Sequence, residues 1–275
     1  MLFIFSFNIN AYDGEKHIQP SKDAIGLYDK CKGYYPNKFN LNLSEKDKEI
    51  IAINSSKVDD ISFSRAWNWH FYDQKFNYET HKPGNISSGF LWMNRSLHKI
   101  FINKSEKLIK HKNNKKRLLK YTGIVLHYIQ DMAVPAHVAP VYHVSWKKDK
   151  FDSYTPVKLR QVNITKAECK NYIDKKSSPV FILQTLANNT LDSIRTKINE
   201  QLYWSVIWNI YPEKPDNKKD GFSTYGKCGN IFGETTHTNC KIDIAIYDKY
   251  FNSRYEEAVK ASFELLVFVG LKNQE

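Results

Sequence analysis

The chain has 275 residues, a formal net charge of +12 and 41% hydrophobic residues. That hydrophobic content excludes a wholly disordered chain, and the length suffices to bury a full core. The cationic excess favours an anionic partner such as a phospholipid surface, a nucleic acid or another phosphate ester, although runs such as HKNNKKRLLK (111–120) also simply solvate helix surfaces.

The N-terminus reads MLFIFSFNINAYDGEKH, a short apolar run followed by small and polar residues. It resembles a clipped secretory signal peptide without a basic leading segment. Residues 1–11 are therefore read as a signal cleaved after Ala11, which makes Tyr12 the first mature residue and the protein secreted or periplasmic. No other stretch approaches the roughly 18 apolar residues of a membrane span.

Apolar residues recurring at steps of three and four predict helices over about 21–31, 44–54, 87–111, 115–132, 179–211 and 242–270. Ser178 before Pro179 is a helix-start signal, and Tyr247, Phe251, Tyr255, Val259 and Phe263 form a core stripe on the last helix. Breaks fall at 33–39, 78–85, 144–165 and 212–240, none of them long and apolar enough to hide a second domain. The expected fold is all-α, a single multi-helix domain over 12–275 with long surface loops.

Chemistry-bearing residues occur in three places. His17 sits just before the first predicted helix; taken singly it is an ordinary exposed histidine. In VDDISFSRAWNWHFYDQ (58–74), Asp59 and Asp60 precede His70, which is flanked by Trp67, Trp69, Phe71 and Tyr72. In LHYIQDMAVPAHVAPVYH (126–143), His127 and Asp131 lie on one helix face, Pro135 ends the helix, and His137 folds back over its end. A single pair of this kind is usually an ion pair or a satisfied core histidine. An imidazole and a carboxylate four residues apart can also share a divalent cation, and mixed N and O ligands suit zinc. Among the four cysteines, Cys228 and Cys240 flank a Gly/Thr/Asn-rich loop that a disulfide could staple. There is no CxxC motif, no GxSxG motif and no convincing Cys/His pair.

Taken together, the HxxxDxxxxxH motif and the HFYD stretch after an upstream aspartate resemble the zinc-dependent phospholipase C family and, more distantly, single-strand nucleases of the S1/P1 type. The resemblance covers 12–154 and implies an all-helical fold with two or three zinc ions in a surface cleft. It implies that Asp60, His70 and His127 hold one ion, with Asp59 as the alternative to Asp60, and that Asp131 bridges to a neighbouring ion. His17 and the amino group and carbonyl of Tyr12 would hold that neighbour; the family has tryptophan at the mature N-terminus. A third ion would use His137 and Asp152, the latter in a KFD resembling the family's KFE. Lys148 stands where the family has its histidine, and His143 is the expected replacement. Asp60 would orient or deprotonate the attacking water.

The resemblance thus implies a secreted hydrolase that cleaves the glycerol-side phosphodiester of phospholipids, with the membrane surface as its partner; Trp67, Trp69 and Tyr72 could offer choline a cation–π face, but read more readily as packing residues. The alternative is an S1/P1-type nuclease with single-stranded nucleic acid as substrate. The Tyr12 to His17 gap favours it, and the missing downstream His-x-x-x-Asp opposes it. A third reading is a zinc-dependent surface-binding protein with a decayed third site. No protein partner is implied, and a monomer is expected.

Overall fold

The computed structural model describes residues 15–59, 70–73, 97–141, 143, 148–210, 223–238 and 240–271. Among these, 64% are helical and 4% lie in isolated β-bridges, with no sheet, so the chain is mainly α-helical.

Helix α1 (Glu15–Tyr34) begins earlier than its apolar pattern suggested and carries Pro20 inside it. His17 therefore lies within the helix rather than before it. Helix α2 (Glu45–Ser56) starts with a capping box: Ser44 accepts from Asp47 N–H while the Asp47 carboxylate accepts from Ser44 N–H. A 3₁₀ turn (Lys57–Asp59) follows α2 directly. Helix α3 (Leu97–Lys110) leads to α4 (Lys115–Asp131), which is capped by Asn114 and buried along its C-terminal half from Val125 to Asp131.

Helix α4 is the axis of the molecule, packing on α1, α2, α3 and two later helices, α8 (Pro179–Ile194) and α9 (Ile244–Gly270). Its approach to α2 depends on Gly123. A Cβ there would lie 2.4 Å from the Ile51 carbonyl oxygen and 2.7 Å from Asn54 Cβ. Only a residue without a side chain permits that crossing.

Beyond α4, Pro135 opens a short turn of helix, α5 (Pro135–Val138), as its fixed φ and missing N–H favour. Two helices were not anticipated. One is α6 (Lys150–Ser153), inside an expected break. The other is α7 (Lys166–Lys175), a polar helix whose start is fixed by a Thr165/Glu168 capping box rather than by apolar periodicity.

The predicted helix over 179–211 is corrected, since α8 stops at Ile194. Beyond it, Trp204, Ile207 and Trp208 are buried in a looped segment with a Lys197–Tyr203 bridge and a 3₁₀ turn (Trp204–Val206). Burial of Trp208 there is satisfied by donation from its indole Nε1 to Asp149, 2.9 Å away. A tertiary partner for the indole thus replaces the helix that periodicity suggested.

Cys228 and Cys240 form a disulfide, while Cys31 and Cys169 are buried thiols. No helix among the described residues is long and apolar enough to cross a membrane.

Candidate metal centre

Five elements deliver the polar cluster. Helix α1 brings His17, the 3₁₀ turn after α2 brings Asp59, residues 70–73 bring His70, α4 brings His127 and Asp131, and α5 brings His137. All six residues are buried, His70 and His137 being the most accessible at 7%. Burying so many ionisable groups together is costly unless they compensate one another or bind a cation.

The two carboxylates are shared. Asp131 Oδ1 lies 3.5 Å from His17 Nε2, while its Oδ2 lies 3.1 Å from His70 Nδ1 and 3.3 Å from His127 Nε2. Asp59 repeats the arrangement, with Oδ2 3.5 Å from His17 Nε2 and Oδ1 3.4 Å from His127 Nε2. Each carboxylate therefore faces His17 with one oxygen and the His70/His127 pair with the other.

These separations test whether the residues fit a metal. Zinc bonds of about 2.0–2.1 Å in a tetrahedron place neighbouring ligand atoms about 3.3–3.4 Å apart, longer than the usual hydrogen bond of about 2.9 Å. The cluster distances straddle the tetrahedral value, including 3.2 Å between His127 Nε2 and His70 Nδ1. Asp131 Oδ2, though buried, receives no well-aligned hydrogen bond. Three groups bring their ligand atoms within 4.8 Å of one another: His17, Asp59 and His127; His70, His127 and Asp131; and His137, His143 and Asp152. The residues fit bound cations.

The surrounding hydrogen bonds fix which imidazole nitrogen is available. A carbonyl can only accept, so the 2.9 Å contact of His127 Nδ1 with the Ser55 carbonyl places the proton on Nδ1 and leaves the Nε2 lone pair facing the carboxylates. Gln130 does the same for His17. Its amide nitrogen donates to Ser21 Oγ at 2.9 Å and to Ser262 Oγ at 3.2 Å, so its Oε1 accepts from His17 Nδ1 at 2.8 Å. Ser21 in turn donates to Ser55 Oγ, whose own proton is shared between the Ala52 carbonyl at 2.7 Å and the His17 carbonyl at 3.2 Å. This network ties α1, α2, α4 and α9 around the ligands, and such outer contacts orient metal-binding histidines. Nothing in the sequence pattern marked Gln130, Ser21, Ser55 or Ser262, because they matter only through long-range contacts.

Burial holds His127 and His137 below the ordinary histidine pKa, which favours the neutral imidazoles that a metal needs. Burial acts the same way on His17, but Asp59 and Asp131 outweigh it and raise its pKa. For Asp131, burial works against the charge, yet the facing His127 and His137 hold the carboxyl well below its usual range.

The third group lies toward α6. His143 Nδ1 donates to the Val141 carbonyl at 2.8 Å, and its Nε2 faces Asp152 Oδ2 at 3.3 Å. Burial opposes the charged imidazole, but Asp152 and Asp149 push His143 up to about 9. The Asp152 Oδ1 atom receives no hydrogen bond among the described residues. Lys16, on the first turn of α1, donates to the carbonyls of Asp152 and Tyr154 and so anchors α6 beside the main cluster. Residues 70–73 are anchored by Tyr72 N–H donating to the His137 carbonyl at 2.9 Å.

Of the predicted ligands, His17, His70, His127, Asp131 and His137 converge in one cluster, and His137 also joins His143 and Asp152 in an adjoining group. Asp59, the alternative, provides the remaining carboxylate of the first cluster; Asp60 and Tyr12 lie outside the described residues, as do Trp67 and Trp69. Tyr72 is a buried core residue, in keeping with its reading as a packing side chain rather than a choline-facing one. Comparison of the chain with protein-family models, with curated proteins and with solved structures returns no match.

Proposed function

We propose that this protein is a secreted zinc-dependent phosphodiester hydrolase of the phospholipase C type, releasing diacylglycerol and a phosphorylated head group. The observation that carries the reading is the sharing of Asp59 and Asp131 between His17 and the His70/His127 pair, a donor set suited to two adjacent cations. Adjacent cations are the recurrent solution for phosphodiesters, whose negative charge repels nucleophiles.

When bound, the zinc ions supply activation of water near neutral pH and offset the charge on the phosphate oxygens. The chain's residues do the rest. Gln130 and the Ser55 carbonyl orient His17 and His127, and Asp59 takes the water-orienting role expected of Asp60. His137, His143 and Asp152 offer a third cation position. The net charge of +12 favours an anionic lipid surface, and the Cys228–Cys240 disulfide accords with export.

The test is incubation of the zinc-loaded, processed protein with mixed phospholipid vesicles, with and without chelator, reading soluble phosphorus compounds by NMR. Chelator-sensitive release of phosphorylated head groups is expected. No release from vesicles, with chelator-sensitive cleavage of single-stranded DNA or RNA, would replace the proposal with an S1/P1-type nuclease. Inertness toward both while zinc stays bound would leave a zinc-dependent surface-binding protein.

A further inference from the structure

We infer that Cys31 and Cys169 are joined by a second disulfide in the oxidatively folded protein, cross-linking α1 to α7. Cys31 lies in the last turns of α1, at the opposite end from His17, and Cys169 in the first turn of α7. The helices pack directly, Tyr35 Oη just past the end of α1 donates to the carbonyl of Lys166 at the start of α7 at 3.2 Å, one turn from each cysteine, and both cysteine side chains are 0% exposed.

A second observation concerns redox state. Cys228 and Cys240 are already joined. Conditions that keep that bond oxidised also act on any other pair placed in register, because structural disulfides persist where the thiol pool is oxidising. All four cysteines are thereby paired, none belongs to the candidate metal centre, and no free thiol remains to compete for zinc.

The chemistry requires a disulfide oxidant, either a thiol–disulfide oxidoreductase or a small-molecule disulfide. One cysteine loses its proton and its thiolate attacks the oxidant, forming a mixed disulfide and releasing one oxidant sulfur as a thiol. The second cysteine, likewise deprotonated, displaces the remaining oxidant sulfur. Two electrons pass to the oxidant, which leaves as two thiols, and the cysteine protons are balanced by those it takes up. Burial pushes the Cys31 and Cys169 thiols above their ordinary pKa and shields them from attack, so the exchange occurs before α7 closes on α1. The bond is thus installed during folding and is not a surface switch.

The experiment uses the whole chain, refolded from denaturant in mixed reduced and oxidised glutathione. The product is denatured and treated with iodoacetamide without reduction, then analysed by intact mass and peptide mapping. The expected result is no alkylation, with Cys31 linked to Cys169 and Cys228 to Cys240. A Cys31→Ala/Cys169→Ala double variant should unfold several degrees lower than the oxidised parent, with the gap closing once both are reduced. An intact Cys228–Cys240 bond with one alkyl group each on Cys31 and Cys169 would overturn the inference, as would Cys31 linked to any other cysteine. The mass map decides the question even where the double variant does not fold.

Discussion

His127 Nδ1 donates to the carbonyl of Ser55 at 2.9 Å, locking the central helix to the end of α2 directly beneath the candidate metal centre. The contact exists because Gly123, one turn earlier on the same face of α4, lets α2 come close. Gly123→Val should force α2 away and carry Asp59 and the Ser55 carbonyl with it. We expect a loss of about 1–3 kcal/mol in denaturant unfolding, together with reduced zinc content of the folded fraction. Unchanged stability and zinc content would show that the close crossing is dispensable.

Asp131 faces His17 with one oxygen and His70 and His127 with the other. Asp131→Asn should abolish hydrolysis and lower bound zinc by more than one equivalent, measured by elemental analysis after dialysis. Loss of a single equivalent or none would rule out a bridging role.

Gln130 acts through His17, so its removal should alter affinity rather than delete a ligand. Gln130→Leu removes the acceptor for His17 Nδ1 and leaves Ser21 and Ser262 without their shared donor. Zinc affinity, read by competition with a chromophoric chelator, should fall about 10–100-fold. Gln130→Glu, which keeps an acceptor at that position, should retain more of it. Equal losses in the two variants would point to packing rather than orientation.

His143 stands opposite Asp152 at 3.3 Å in the third group. His143→Ala should lower bound zinc by about one equivalent while the His17 and His127 positions stay filled. Full zinc content in that variant would assign the third position to other residues.

Asp47 offers a pH test away from the metal cluster. Its side chain accepts an ion pair from Lys115 at 2.7 Å and closes the α2 capping box with Ser44, holding the carboxyl down at about 2. A carboxyl depressed on folding stabilises above its unfolded value, 3.8, and that contribution disappears as pH falls toward about 2. Asp47→Ala should therefore cost about 1 kcal/mol at neutral pH, in line with loss of a helix cap, and the difference from the parent should shrink between pH 4 and 2. Urea titrations across that range would show it; a constant difference would exclude the linkage.

Local signals along the chain suffice for its helical character, the starts of α2, α4 and α8, and the shared face of His127 and Asp131. Those properties are local: caps act within one turn, and a spacing of four places side chains together on any helix. Periodicity failed where burial was achieved without a helix, as after Ile194, and where a helix was polar, as α7 is. Long-range packing brings Asp59 to His17 and His127, sets His143 opposite Asp152, and lets Gln130 hold His17 across 113 residues of chain. A ligand set is a statement about distances near 3.3 Å, and such distances follow from how helices cross, which no spacing within a single helix encodes.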